Sequence, residues 1–311
     1  MSGFLNIAGN GFGSEPAEDA LIVGPSQLNN WWLCNYRELY RNEPWYDNSS
    51  SLQAAFGTGE HALIERFLTT GDRPAFSGEA MEIWIQAMLH HPKHPEDITK
   101  YADNVTLLTV AAEMLGAFEL WLTSYWQEEG QHQPPLLTET TLRRPLGRLP
   151  NGREVWVEGT ADRVTALGET AAMGIDWKTG GKGWKRGKAE SNVQHTVYGW
   201  LVEPMIQPHR VVQATYVVYD RQHQVWTWND KRIMLTKDMT YAALRSMWDM
   251  ARGLDAEIGT ASPTTRGGFG DGRGWHCKAP WCPAWNGCPF KFVIQDKYSE
   301  EERPTQMRWS L

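Results

Sequence analysis

The stretch from Gly159 to Tyr198 constrains this chain most. The run from Glu154 to Val164, EVWVEGTADRV, has strand character, the polar, glycine-containing segment 167–171 suits a turn, and Met173 to Lys178 returns as a second strand. Side chains alternate faces along a strand, so Asp176 and Lys178, two apart, point the same way. A strand pair then gathers two carboxylates, Asp162 and Asp176, and one ammonium around a point. Metal-assisted phosphodiester hydrolysis requires such a set: hard oxygen ligands for a divalent cation, and a positive charge near the attacking water and the phosphate. The plain alternative is a strand-end salt bridge between Asp176 and Lys178.

With 311 residues the chain can bury a sizeable core as one large domain or two small ones. Its net charge of −7 sets up no global basic field, so any nucleic-acid surface is local. A mean hydropathy of −0.51 and the absence of a long apolar run exclude a spanning helix, and the N-terminus lacks a signal-peptide layout, which makes a cytoplasmic, reducing setting the expectation and a membrane partner unexpected. Four cysteines in that setting are metal ligands or core residues before they are disulfides.

Residues 1–23, rich in Gly, Asn and acids without periodicity, read as a flexible tail, and 299–311 as a second. Ser26 is the expected N-cap of a helix from Gln27 to about Tyr40 that carries Cys34. The glycines of Phe56-Gly-Thr-Gly-Glu-His61 suit a helix start, and His61 falls in its first turns; alone it is an ordinary surface or core histidine. Residues 71–133 form a mostly helical insertion, expected to cover the site or wall a channel, with His90, His91 and His94 in a proline-bearing surface loop. Strand character resumes at Leu136 and makes a catalytic core of about 136–235. Lys178, Lys182, Lys185, Arg186 and Lys188 place five cations in eleven residues without an acid; a solvated loop is one reading, and phosphate contacts beside the site are the favoured one. In the helix expected from Ser191 to Leu201, Gln194 and Tyr198 share a face one turn apart. Residues 211–220 and 224–228 read as a hairpin, and 240–254 as a helix. Cys277, Cys282 and Cys288 fall within twelve residues and need one more thiolate for four-coordination, which only Cys34 can supply; tetrathiolate zinc and an iron–sulfur cluster are the two options.

The pattern Asp162, then Asp176-x-Lys178, resembles the catalytic signature of the PD-(D/E)XK nuclease superfamily. Gly57-Thr58-x-x-His61 resembles the first motif of its RecB-like members, and Gln194-x-x-x-Tyr198 their helix beside the catalytic strands. A lone early cysteine followed by a C-terminal triplet is similar to the AddB and CRISPR-associated RecB-like exonucleases, in which a 4Fe-4S cluster staples the domain; Pro25-Ser-Gln-Leu followed by Cys34-Asn-Tyr-Arg fits that family's first cysteine motif.

The resemblance implies a single nuclease domain over 24–298, α/β, with a restriction-endonuclease-like core of a mixed central β-sheet flanked by helices, the helical insertion, and an iron–sulfur region made by Cys34 with residues 275–290. It implies a Mg²⁺- or Mn²⁺-dependent deoxyribonuclease with metal ligands His61, Asp162, Asp176 and the carbonyl of Trp177. Lys178 orients or activates the nucleophile, while Gln194 and Tyr198 contact phosphate, water or base. DNA, single-stranded or as duplex ends, is the implied partner. The sequence carries no helicase-like Gly-x-x-x-x-Gly-Lys-Ser/Thr loop, so a helicase or a single-strand annealing protein is a further partner to expect. Recombination, repair or DNA-end processing in a phage or bacterium is the implied setting. A fragment-trimming role in CRISPR adaptation and a non-catalytic scaffold that binds DNA ends are the alternatives.

Overall fold

The computed structural model describes residues 15–33, 38, 52–70, 82, 105–128, 135–179, 192–220, 223, 225–228 and 232–255. In chain order these form β1 (Leu21–Val23), α1 (Pro25–Leu33), α2 (Leu52–Thr70), α3 (Val105–Glu128), β2 (Leu137–Arg148), β3 (Glu154–Ala166), β4 (Ala171–Lys178), α4 (Gln194–Val202), β5 (Arg210–Asp220), β6 (Val225–Trp228), β7 (Ile233–Met234) and α5 (Lys237–Asp255). The expected class is the observed one: an α/β fold with a seven-stranded mixed sheet flanked by helices, as a restriction-endonuclease-like core has.

The sheet is organised on β3. β2 runs antiparallel along one side of it, pairing from Leu137↔Val164 to Arg148↔Glu154. β1 pairs in parallel with Val155–Val157, while β4 pairs antiparallel with Arg163–Ala166, so the two share β3 at opposite ends. β4 continues in parallel with β5, with Asp176↔Tyr216 and Lys178↔Val218 in register, and α4 lies in the crossover between these strands. The β3–β4 ladder ends at Arg163↔Ile175. Beyond that pair β4 leaves β3, and the sheet forks.

On one side of β4, Met173, Ile175 and Trp177 join Leu63 and Ile64 of α2, Met114, Phe118, Trp121 and Leu122 of α3, and Val217, Tyr219 and Trp226 of β5 and β6 in one buried cluster. The Phe118 and Trp177 rings meet edge to face at 5.0 Å, Phe118 and Trp226 at 5.4 Å, and the Trp226 indole N–H donates to the Met114 carbonyl at 2.9 Å. Each such pair adds about 0.5–1.5 kcal/mol beyond the area it buries. Four of the described tryptophans thus serve packing: Trp121, Trp177 and Trp226 here, and Trp200 under the Arg144 guanidinium at 4.3 Å. One face of α3 is therefore core.

Three local expectations change. Leu21–Val23 belongs to the sheet instead of the tail, because its hydrogen bonds go to β3. α1 starts at Pro25 instead of after a Ser26 cap; proline suits the first helical position, where its missing N–H is not needed. α2 starts at Leu52, which places Gly57 and Gly59 inside the helix instead of at its start, and a side chain at Gly57 would press within 3.0 Å of the Thr179 hydroxyl.

By contacts the chain divides into two units, one of residues 1–25 and 49–249, the other of 26–48 and 250–311. Within the second, Gly253 near the end of α5 lies under Trp31 of α1, close enough that a Cβ would meet the indole at 2.5 Å.

Candidate metal centre and its polar face

The other side of β4 carries Gly174, Asp176 and Lys178. Asp176 is buried, and its Oδ2 lies 2.5 Å from the Lys178 ammonium. Across the fork, the buried Asp162 of β3 uses its Oδ2 to accept the backbone N–H of Trp177 at 2.8 Å. That side chain takes over where the backbone ladder stops, so Asp162 is fixed by the geometry of the fork itself. Trp177 sends its indole into the aromatic cluster.

His61 on α2 brings Nδ1 to 3.8 Å from Asp162 Oδ2 and 3.4 Å from Oε1 of Glu139 on β2. One ligand atom each of His61, Glu139 and Asp162 lies within 4.8 Å of the others, a spacing one divalent cation can span. Glu65, a turn further along α2, is exposed. Glu139 escaped the sequence reading. No motif marks it, and its place depends on strand pairing: Thr138↔Arg163 and Thr140↔Ala161 bracket it, setting it straight across from Asp162.

The helix α4 supplies Gln194 and Tyr198, which share a face as expected. The Gln194 amide donates to the Tyr198 hydroxyl at 2.9 Å, while its own backbone N–H donates to Asn192 Oδ1 at 3.0 Å. Tyr198 reaches the sheet because Gly159 of β3 has no side chain; a Cβ there would sit 2.6 Å from the ring. Asp162, Gly174, His195 and Tyr198 together line a small cavity, room for about one water, between α4 and the sheet. His195 is a further residue the sequence reading passed over. It is buried, its ring meets that of Tyr216 at 4.1 Å with the planes tilted by 51°, and its Nε2 has no hydrogen-bond partner.

The electrostatics follow from burying several charges together. The Asp162 carboxyl is pushed up to about 8, by burial first and by the charge of Asp176 second. Burial alone would lower His61, but the carboxylates of Asp162 and Glu139 outweigh it and raise the imidazole to about 9. The same opposition acts on Lys178, where burial works downward and Asp176 and Asp162 prevail, so it stays a cation. Burial, then Asp176, raises the Tyr198 phenol well above its ordinary value and keeps it neutral. The Asp162 carboxyl and the His61 imidazole hold protons more firmly than free side chains, and a divalent cation competes with those protons for the same lone pairs. The donor set fits such an ion: carboxylate oxygens of Asp162 and Glu139 converging with one imidazole.

The structure thus brings His61, Asp162, Asp176, Lys178 and Tyr198 together, with Gln194 tied to Tyr198. Cys34, Cys277, Cys282 and Cys288, the basic residues Lys182, Lys185, Arg186 and Lys188, and His90, His91 and His94 lie outside the described residues. Among the described residues no helix is long and apolar enough to cross a membrane.

No family model matches the chain, and no curated protein matches it. Among solved structures it is similar to a candidate exonuclease from Eubacterium rectale, at 12% identity over 80% of this chain and 86% of that one with a TM-score of 0.46. It is also similar to a protein named SSO0001, at 13% identity over 77% and 78% with a TM-score of 0.36.

Proposed function

We propose that this chain is a divalent-metal-dependent DNA exonuclease of PD-(D/E)XK, RecB-like type. The observation that supports it best is the fork: two buried carboxylates from neighbouring strands, Asp162 and Asp176, with the Lys178 ammonium and the His61 imidazole converging beside them. The order of the motifs along the sequence adds to that reading.

His61, Asp162, Asp176 and the Trp177 carbonyl would hold the ion, Mg²⁺ or Mn²⁺. When bound, such an ion acidifies water and neutralises charge on a phosphate. The residues themselves do the rest. Asp162, held by the Trp177 N–H, keeps its lone pairs aimed at one point instead of drifting with the side chain. Lys178, remaining a cation, offers its charge to the phosphate oxygens as negative charge builds up while water attacks phosphorus and the P–O bond to the leaving nucleotide breaks. Tyr198, neutral and bonded to Gln194, presents a hydroxyl and a ring edge to the backbone or a base. Lys182, Lys185, Arg186 and Lys188 extend the site with phosphate contacts, and Cys34, Cys277, Cys282 and Cys288 hold a structural 4Fe-4S cluster, with zinc as the competing occupant. Recombination, repair or end processing is the proposed setting.

The test is cleavage of end-labelled single- and double-stranded DNA by anaerobically purified protein with Mg²⁺ or Mn²⁺, beside Lys178→Ala. Progressive shortening that disappears in the variant is expected. Binding without cleavage in the wild type would overturn the enzyme reading in favour of an end-binding scaffold.

A further inference from the structure

We propose that Tyr216 is a positioning residue for Lys178, its ring face a buried platform that holds the ammonium beside the fork. The inference rests on the nuclease reading for the role of Lys178 and goes beyond it in assigning Tyr216.

The platform follows from strand register. β4 and β5 run parallel with Asp176↔Tyr216 and Lys178↔Val218 paired, and directly paired residues of neighbouring strands share a side of the sheet. Tyr216 therefore stands on the polar side, next to Asp176. The Lys178 Nζ lies over its ring, 5.8 Å from the centroid, within the roughly 6 Å at which a ring attracts a cation. Burial, and then the charge of Asp176, keeps the phenol neutral. The ring thus meets the ammonium with its π face and not as a phenolate.

Other contacts fix the ring in turn. Tyr216 is fully buried and clusters with Val218 and Ile233, and Leu235 and Met239 pack against that cluster. His195 of α4, itself 3% exposed, brings its own ring to 4.1 Å. Lysine is among the side chains with the most rotamer freedom to lose, so a rigid surface beneath it decides where the charge stands.

The need for such a surface comes from Asp176. Its Oδ2 lies 2.5 Å from the Lys178 Nζ, yet the same carboxylate is one of the proposed ion ligands. A carboxylate shared with a divalent cation holds the lysine less firmly, and the two cations repel. The Tyr216 ring keeps its attraction whatever Asp176 binds.

The experiment replaces Tyr216 in the full chain by Phe and by phenylalanines carrying one, two and three ring fluorines, which drain charge from the ring face at nearly constant volume. Two readouts are taken: the rate at which acetic anhydride labels Lys178, followed by mass spectrometry, and the kinetics of DNA cleavage. An amine is labelled only once it has shed its proton and left the ring. Tyr216→Phe should match the wild type. Along the fluorinated series labelling should quicken and kcat fall stepwise, by about 5–30-fold with three fluorines, while KM for DNA and the melting temperature change little. A residue that only packs gives a flat series, because its volume is kept. A flat response in labelling, or in the kcat of a cleaving enzyme, would overturn the platform and leave the nuclease reading intact, as would a Phe variant as impaired as the trifluorinated one. Graded labelling in a chain that cleaves no DNA would uphold the platform and sink the nuclease reading alone.

Discussion

The two faces of β4 are built from alternate residues of one eight-residue strand, yet they obey different rules. Met173, Ile175 and Trp177 point into a dry cluster where stability comes from area and ring geometry. Gly174, Asp176 and Lys178 point toward α4 and the fork, where charges are buried together and polar atoms such as His195 Nε2 lack partners. The first face tolerates neither a hole nor an unpaired charge; the second accepts a stability cost to hold its buried charges together. One strand can serve both because its side-chain period of two separates them completely. The aromatic face then acts as the rigid backing that fixes where Asp176 and Lys178 stand.

Substitutions on each face should separate stability from activity. The largest effect is expected at Asp162. Asn is isosteric, still accepts the Trp177 N–H, and matches the uncharged carboxyl that burial favours. Asp162→Asn should therefore cut cleavage by about 10²–10³-fold or more, while urea denaturation moves by less than about 1 kcal/mol. Trp177→Ala, on the opposite face, should do the reverse: about 3–5 kcal/mol of stability lost to the cavity, with the folded fraction still cutting DNA. If the Trp177 variant stayed stable, or the Asp162 variant unfolded, the division of labour between the faces would be wrong.

The sequence showed one face more readily than the other. Asp162, Asp176, Lys178, Gln194 and Tyr198 are local signals: short spacings on single elements, readable from the periods of strand and helix. Glu139 is not local. Asn151-Gly152 is a hairpin signal, with Gly152 at φ of 91°, and counting outward from it pairs Arg148 with Glu154 and Gly147 with Val155. Continued evenly, that count would set Glu139 against Arg163. A register shift between Pro145 and Gly147 moves the pairing by one, and Glu139 meets Asp162 instead. Proline has no N–H for the ladder and sits where the irregularity falls. A bulge of one residue therefore decides whether the third carboxylate belongs to the site, and no strand pattern reveals it. The aromatic face was invisible for a similar reason: Phe118, Trp121, Trp177 and Trp226 come from three distant segments, and only pairing brings them together.

His195 offers a probe of the polar face by pH. Burial is the main cause that lowers its imidazole to about 4, against 6.5 when exposed. As pH falls below 6.5 the unfolded chain takes up a proton that the folded chain refuses until about 4, so stability contributed above 6.5 is lost across that window, by about 3 kcal/mol. Asp162 works the opposite way there, since its raised carboxyl binds its proton first in the folded state. The difference between wild type and His195→Phe isolates the histidine: urea stability of the variant should fall less steeply from pH 6.5 to 4. Parallel curves would mean that His195 is as accessible to protons folded as unfolded.

The smallest expected effect tests how closely α4 must approach β3. A Cβ at Gly159 would come within 2.6 Å of Tyr198 Cε1 and 3.2 Å of Leu201 Cδ1, nearer than atoms settle without movement. The tyrosine ring can give way by turning, so Gly159→Ala should cost only about 1–3 kcal/mol. Turning the ring, however, moves the hydroxyl that Gln194 holds at 2.9 Å. If Tyr198 contacts DNA as proposed, cleavage should drop in Gly159→Ala well beyond the loss of folded protein, with the rise in KM for DNA exceeding the fall in kcat. A variant that loses stability while its folded fraction cuts DNA with unchanged kcat and KM would make Tyr198 a packing residue, and the polar face would then end at the carboxylates.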